Sequence, residues 1–141
     1  MMKIALLLTA LLAPVATQAQ PAFTGPDYSG VYDCTGNDAH EGPYTGTVTM
    51  ELDAAQSTGS YGAYKFRLDV PGFGAYLGEA VSEGDRIAMY FALQDPTTHD
   101  FGTGLATVSR GADGRTSFSK FYYEPEFKGG NYGTEECMLR K

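Results

Sequence analysis

The sequence predicts an all-β protein: eight antiparallel strands in an up-and-down meander that closes into a small barrel, its first and last strands joined by a disulfide. Three observations predict this fold. Apolar and polar residues alternate with period two in several short stretches, and turns rich in Gly and Pro separate those stretches. Two cysteines stand near opposite ends of the same region. No stretch after residue 20 shows sustained helical spacing.

The N-terminus has the pattern of a secretory signal peptide. Lys3 precedes a short apolar run, and Thr17-Gln18-Ala19 places small residues before an expected cleavage between Ala19 and Gln20. The run is too short for a membrane anchor, which needs about 20 apolar residues. We therefore expect a signal peptide at 1–19, a short N-terminal tail at 20–27 and one β-barrel domain at 28–141, located in the periplasm or secreted.

The net charge limits the classes of partner. Cleavage after residue 19 removes Lys3 and no acidic residue, so 9 Lys and Arg face 17 Asp and Glu, a formal charge of −8. Nucleic acids and anionic lipid surfaces select basic patches, so neither is an expected partner. After signal cleavage we expect a monomer that binds a small molecule or a protein and does not associate with membranes.

The predicted strands follow one another with brief connections. In 86–93, for example, Ile87, Met89 and Phe91 alternate with Arg86 and Tyr90. A hairpin is predicted at Gly111-Ala112-Asp113-Gly114, and longer polar loops at 36–43 and 124–131. The eight strands are predicted at 28–34, 44–53, 60–70, 75–81, 86–93, 101–109, 115–123 and 132–140.

Cys34 and Cys137 lie 103 positions apart, and in an exported protein they are expected to form a disulfide. Buried free thiols and a metal-binding pair are the alternatives. In an eight-stranded barrel the first and last strands are antiparallel neighbours, which favours closure over an open sandwich. Direct opposition of the cysteines places Tyr32 opposite Leu139 and, without a bulge, turns Arg140 to the other face.

Gly30-Val31-Tyr32 on the first strand resembles the Gly-x-Trp signature of the calycins, the superfamily of lipocalins, fatty-acid-binding proteins and avidins. Arg140 resembles the basic residue that packs on that aromatic ring in the family. The resemblance implies an eight-stranded barrel with a ligand cavity at one mouth.

A second resemblance is to the periplasmic inhibitors of C-type lysozyme. Tyr32-Asp33-Cys34 and Cys137 are similar to that family's early Tyr-x-Cys and its terminal cysteine partner. The segment Ser60-Tyr61-Gly62-Ala63-Tyr64 resembles its inhibitory loop. An acidic inhibitor would be electrostatically complementary to a basic lysozyme.

Few residues of the sequence suggest a role in ligand binding, metal binding or catalysis. The tyrosines predicted to bind a ligand inside the barrel are Tyr32, Tyr64, Tyr90 and Tyr122, although such rings also fill a packed interior. His40 and His99, each beside a carboxylate, would form a metal site with Asp38 if their loops meet. The acidic pairs Glu124 with Glu126 and Glu135 with Glu136 stand beside turns and are expected to face water.

No Gly-x-Ser-x-Gly elbow is present, and a disulfide would occupy both thiols. The expected function is therefore binding of a small, partly apolar ligand, without catalysis and without a cofactor. The alternative is a periplasmic protein-interaction module such as a lysozyme-type hydrolase inhibitor.

Overall fold

The computed structural model describes residues 19–141, which fold into a closed barrel of eight antiparallel strands in sequence order. The predicted fold class is confirmed. The expected signal peptide lies, apart from Ala19, outside the described residues. The strands are β1 Gly30–Asp38, β2 Gly42–Leu52, β3 Tyr61–Val70, β4 Gly74–Glu83, β5 Arg86–Leu93, β6 Phe101–Arg110, β7 Thr116–Glu124 and β8 Asn131–Leu139.

The first strand differs most from its predicted bounds. β1 begins at Gly30 and continues to Asp38, so the long loop predicted at 36–43 is a short turn. Gly36 pairs with Tyr44 of β2 and with Glu135 of β8. Hydrogen-bonded neighbours on both sides thus hold a Gly-Asn-Asp segment whose own β propensity is low. Gly36 is required because the Tyr44 ring occupies the space that a Cβ atom would need.

Period-two alternation separates an inner from an outer set of side chains. The inner set fills most of the barrel with apolar side chains and includes Tyr32, Cys34, Val48, Met50, Tyr64, Phe66, Leu68, Val70, Tyr76, Ala80, Ile87, Met89, Phe91, Ala106, Phe118, Tyr122 and Cys137. Because these residues come from all eight strands, the core is a single cluster along the barrel axis.

The pairing of β1 with β8 closes the barrel, and the disulfide lies on this seam. Cys34 is directly opposite Cys137, with their Cα atoms 4.1 Å apart. The predicted register is confirmed, since Tyr32 pairs with Leu139. Arg140 donates from Nε to Asp33 Oδ1 at 2.8 Å among exposed side chains, whereas Tyr32 is completely buried. The packing of Arg140 on the first-strand aromatic, implied by the calycin resemblance, is therefore not formed.

One end of the barrel is covered by the segment that precedes β1. Phe23 forms a parallel bridge with Gly59 in the β2–β3 connection. Tyr28 is buried, and its hydroxyl donates to the Gly84 carbonyl at 2.7 Å. The Tyr32 hydroxyl donates to the Tyr28 carbonyl at 2.8 Å. These contacts leave the opposite end as the open one.

The described region contains two 3₁₀ turns, Pro96–Thr98 and Phe127–Gly129, both at the open end. Across residues 19–141 there is no helix with the length and apolar character needed to span a membrane.

Candidate functional site

A pocket lies at the open end, where the β1–β2, β3–β4, β5–β6 and β7–β8 connections meet. Its cavity volume is about 50 Å³. Apolar side chains form one wall and ionisable side chains the other. The lining residues are Asp38, Glu41, Tyr44, Leu68, Val70, Phe73, Tyr76, Phe91, Asp100, Lys120, Tyr122, Glu124, Phe127, Asn131 and Glu135.

A buried ion pair forms the floor of the pocket. Lys120 of β7 is directly opposite Glu135 of β8, and the two side chains, 1 % and 0 % exposed, form a salt bridge. The Tyr44 hydroxyl donates to Glu135 Oε1 at 2.6 Å. Lys120 Nζ also lies 5.4 Å from the ring centroids of Phe91 and Tyr122, within the range of cation–π attraction. The lysine that lines the pocket is therefore already neutralised by its neighbours.

Asp38, at the end of β1, is a fully satisfied carboxylate. Its Oδ2 atom accepts hydrogen bonds from the Tyr122 hydroxyl at 2.8 Å and from Asn131 Nδ2 at 2.7 Å. Its Oδ1 atom accepts from the backbone N–H groups of His40 at 2.8 Å and Glu41 at 2.9 Å. Burial, together with the nearby Asp38 charge, raises the pKa of Tyr122, so its hydroxyl stays protonated and remains a donor.

Two further carboxyl groups, those of Asp100 and Glu124, lie beside Asp38. Asp100 Oδ2 accepts a hydrogen bond from the Tyr76 hydroxyl at 2.9 Å, while its Oδ1 atom is buried without a partner. Asn131 Nδ2 donates to Glu124. Burial, followed by the charge of Asp100 and a hydrogen bond to it, raises the pKa of Glu124 to about 8. Burial and the Asp38 charge also raise the pKa of Asp100. One of these two carboxyl groups therefore retains a proton at neutral pH.

Most of the apolar side chains of the pocket come from β3 to β5 and the connection between β3 and β4. Leu68 and Val70 of β3 and Phe91 of β5 are buried. Phe73, 49 % exposed, and Phe127, partly buried in a 3₁₀ turn, stand at the rim. An apolar group that enters the pocket is thus surrounded by aliphatic and aromatic surface, while its polar end meets carboxyl and hydroxyl groups.

The four tyrosines predicted to bind a ligand do not lie together. Tyr122 lines the pocket. Tyr32 and Tyr64 are buried at the covered end, where the Tyr64 hydroxyl accepts from the Tyr28 N–H at 3.2 Å. Tyr90 is 50 % exposed on the outside of the barrel, because its position on β5 is opposite in parity to the inward-facing Phe91.

The two histidines lie in loops at the open end but have separate partners. His40 Nδ1 is 2.7 Å from Asn131 Oδ1, and His99 Nδ1 is 3.1 Å from Glu126 Oε2. Within the described part of the chain, neither belongs to a group of three metal-ligating side chains with ligand atoms within 4.8 Å of one another. The group that meets this criterion contains Cys34 and Cys137, whose sulfur atoms are bonded to each other.

The expectation that Glu124 and Glu135 face water is wrong, whereas Glu126 and Glu136 are exposed as expected. A signal for Glu135 was present in the sequence. Cys137 must point inward if it pairs inside the barrel, and period two then turns Glu135 inward as well. The same parity places Asn131 inside.

The closed eight-stranded antiparallel barrel is compatible with a calycin-like fold. Within it, the residues of the open end bring one neutralised cation, several carboxyl groups and an apolar wall into one pocket. No protein-family model matches this chain, and no curated protein or solved structure matches it either.

Proposed function

We propose that this protein is an exported, calycin-like binding protein that takes a small, partly apolar ligand at the open end of its barrel and performs no catalysis on it. The observation that carries the proposal is the pocket itself, in which an apolar wall faces a hydrogen-bonding floor. Binding sites for small molecules commonly combine these two surfaces.

The surrounding structure supports a single entrance. Tyr28 and the residues before it cover the far end of the barrel, so a ligand would enter between Phe73 and Phe127. The cavity of about 50 Å³ accommodates only a small group, and a larger ligand would extend past the rim. Ligand selection would then rest on the polar groups of the floor.

The disulfide supports the location. A bond between Cys34 and Cys137 is typical of proteins that mature in an oxidising compartment, such as the periplasm or the extracellular space. It also leaves neither thiol free to act as a nucleophile. Both points agree with export and with a binding role.

The test is an NMR titration of the exported, disulfide-bonded protein with small, partly apolar compounds that are cationic, neutral or anionic. At least one charge class is expected to shift the backbone amide signals of Tyr76, Phe91 and Tyr122 at millimolar concentration or below. If no compound in any class shifts these signals, the proposed function is wrong.

A matched pair of variants locates the binding. Val70→Phe adds a ring inside the pocket, whereas Val81→Phe adds the same ring on the outer surface, where Val81 is 55 % exposed. Val70→Phe is expected to abolish the shifts and Val81→Phe to preserve them. Equal effects of the two substitutions would place the binding elsewhere.

A protein-interaction module, for example a hydrolase inhibitor, is the second candidate function. It is favoured by an outer apolar face on β4–β8, formed by Val81, Tyr90, Leu105, Phe121, Tyr123 and Tyr132, each at least 50 % exposed. The register places Leu105 beside Phe121, and Tyr123 beside Tyr132. Exposed apolar patches of this kind commonly mark protein contacts.

This candidate predicts inhibition of a C-type lysozyme at micromolar concentration, relieved by Phe121→Glu in the middle of the outer apolar face. Thr35→Glu, on the outside of β1, is the control substitution. Absence of inhibition by the unmodified protein would eliminate the lysozyme-inhibitor form of this candidate.

A further inference from the structure

The pocket contains a buried carboxylate oxygen to which no amide, amine or hydroxyl group of the described residues donates a hydrogen bond. Asp100 is 5 % exposed, and its Oδ1 atom is the one buried side-chain nitrogen or oxygen in residues 19–141 without a hydrogen-bond partner. Its Oδ2 atom is already bonded to the Tyr76 hydroxyl. Because a buried carboxylate oxygen without a donor is unfavourable, a ligand that donates a hydrogen bond at this atom would be stabilised there.

The charges of the pocket indicate that the donor is a cation. Five acidic residues and one basic residue line it, and the basic residue, Lys120, is paired with Glu135. The hydrogen-bonding capacity of Asp38 is filled by four protein donors. Glu41 forms a salt bridge with Lys128, so Asp100 and its neighbour Glu124 are left to interact with a ligand.

We propose that the ligand is a small organic ammonium, that is, a primary amine with a short apolar chain. Its N–H groups donate to Asp100 Oδ1 and to the Glu124 carboxylate. Its chain lies against Phe91 in the pocket and between Phe73 and Phe127 at the rim. This assignment rests on the proposed function and names the chemical class of its ligand.

The proton held by the two carboxyl groups agrees with this assignment. Burial, followed by the charge of Asp100, raises the pKa of Glu124 to about 8, so at neutral pH this pair of acids retains a proton. An ammonium group brings a positive charge and three N–H donors to the same place. It can therefore take the place of the proton that the two acids share and donate a hydrogen bond to Asp100 Oδ1.

The geometry favours an organic cation over a metal ion. Hard metal ions take several oxygen ligands around one point. Among the described residues, no three carboxylate or histidine groups of this pocket have ligand atoms within 4.8 Å of one another. An ammonium needs only two or three acceptors, and it can carry an apolar group that uses the apolar wall.

The cavity volume limits the size of the buried part. Since a water-sized group needs about 10–15 Å³ of such volume, a cavity of about 50 Å³ holds about three to five of them. That space accommodates an ammonium nitrogen and the first carbons of its chain. n-Butylammonium is therefore a suitable probe, and 1-butanol and butyrate are its neutral and anionic counterparts.

The experiment titrates the disulfide-bonded protein at pH 7 with these three compounds and follows the amide signals of Tyr76, Phe91 and Tyr122. Butylammonium is expected to bind at least tenfold more tightly than 1-butanol, and butyrate more weakly than both. If 1-butanol or butyrate binds in the pocket as tightly as butylammonium, the inference is wrong while the proposed function stands. If neither these probes nor the wider panel bind, the proposed function fails too.

Two substitutions separate the buried carboxyl groups from general surface charge. Asp100→Asn is expected to weaken butylammonium binding at least tenfold, whereas Asp113→Asn, in the exposed β6–β7 turn, changes it less than twofold. Glu124→Gln is a second variant that keeps an acceptor for Asn131 and is also expected to weaken binding. Equal affinities of the Asp100 and Asp113 variants would overturn the inference, as would signals that respond to Ca²⁺ or Zn²⁺ but not to butylammonium.

Discussion

Replacing Glu124 by glutamine is expected to change how the stability of the barrel depends on pH. Burial raises the pKa of this carboxyl from 4.5 to about 8. The folded protein therefore holds a proton that the unfolded chain releases once the pH exceeds about 4.5. The contribution of Glu124 to stability is fully present below that pH and is lost as the pH rises towards 8.

The magnitude follows from proton linkage. While the folded state binds one more proton than the unfolded state, the free energy of unfolding falls by about 1.4 kcal/mol per pH unit. Over about two pH units near neutrality an independent group would contribute a loss of up to about 3 kcal/mol, and sharing of the proton with Asp100 makes the loss smaller. The glutamine side chain in the Glu124→Gln variant cannot ionise and is expected to escape this loss.

The assay is urea unfolding of the wild type and the Glu124→Gln variant at intervals from about pH 5 to about pH 8.5, a window that brackets the shifted pKa. The stability of the variant relative to the wild type is expected to increase steadily with pH. Glu51→Gln, on the exposed side of β2, is the control and should run parallel to the wild type. A Glu124→Gln curve that also runs parallel would refute the assignment of a retained proton to this site.

Three other perturbations test the packing around the pocket and the seam. Cys34→Ala/Cys137→Ala should lower the free energy of unfolding by about 4–5 kcal/mol, because the disulfide mainly restricts the unfolded chain. The far-UV spectrum of the folded state should change little. A loss below about 1 kcal/mol would contradict the chain-entropy account. Lys120→Met should cost about 3–5 kcal/mol in urea unfolding, and adding Glu135→Leu should recover most of it; a double variant no more stable than the single one would argue against an ion pair at this position. Gly78→Ala places a Cβ atom against the Tyr90 carbonyl oxygen. We therefore expect the free energy of unfolding to fall by more than about 3 kcal/mol in thermal or urea unfolding. A stability close to that of wild type would contradict the close approach of β4 and β5.

The strands and their register could be predicted because their signals are local or follow from parity. Alternation marked the strands, and turn residues marked their ends. The pairing of Cys34 with Cys137 then determined one register, which placed Tyr32 opposite Leu139 as found. The same parity argument, applied from Cys137, predicts that the Glu135 side chain points into the barrel.

The remainder of the candidate site depends on partners that are distant in sequence. β7 carries aromatic residues on both faces, so hydrophobicity does not distinguish the inner Tyr122 from the outer Phe121 and Tyr123. Lys120 is stable inside only because Glu135 lies opposite on β8. Asp100 follows His99 in a polar stretch, and nothing local indicates its bond to Tyr76, 24 positions earlier. The sequence alone does not show which distant group will neutralise a charged side chain. Such a residue is therefore predicted to lie on the surface even when it is buried in the structure.

The seam between β1 and β8 also has a consequence for the order of folding. Each of the other strand pairs joins consecutive strands and closes only a short loop, but the pairing of Cys34 with Cys137 spans 103 positions. Long-range pairings of this kind form slowly, because a large loop must first be ordered. Until β8 is present, β1 and β7 are both unpaired edges to which other chains can add. The pairing of β8 with β1 therefore removes both exposed edges at once, and the disulfide between Cys34 and Cys137 then holds the barrel closed.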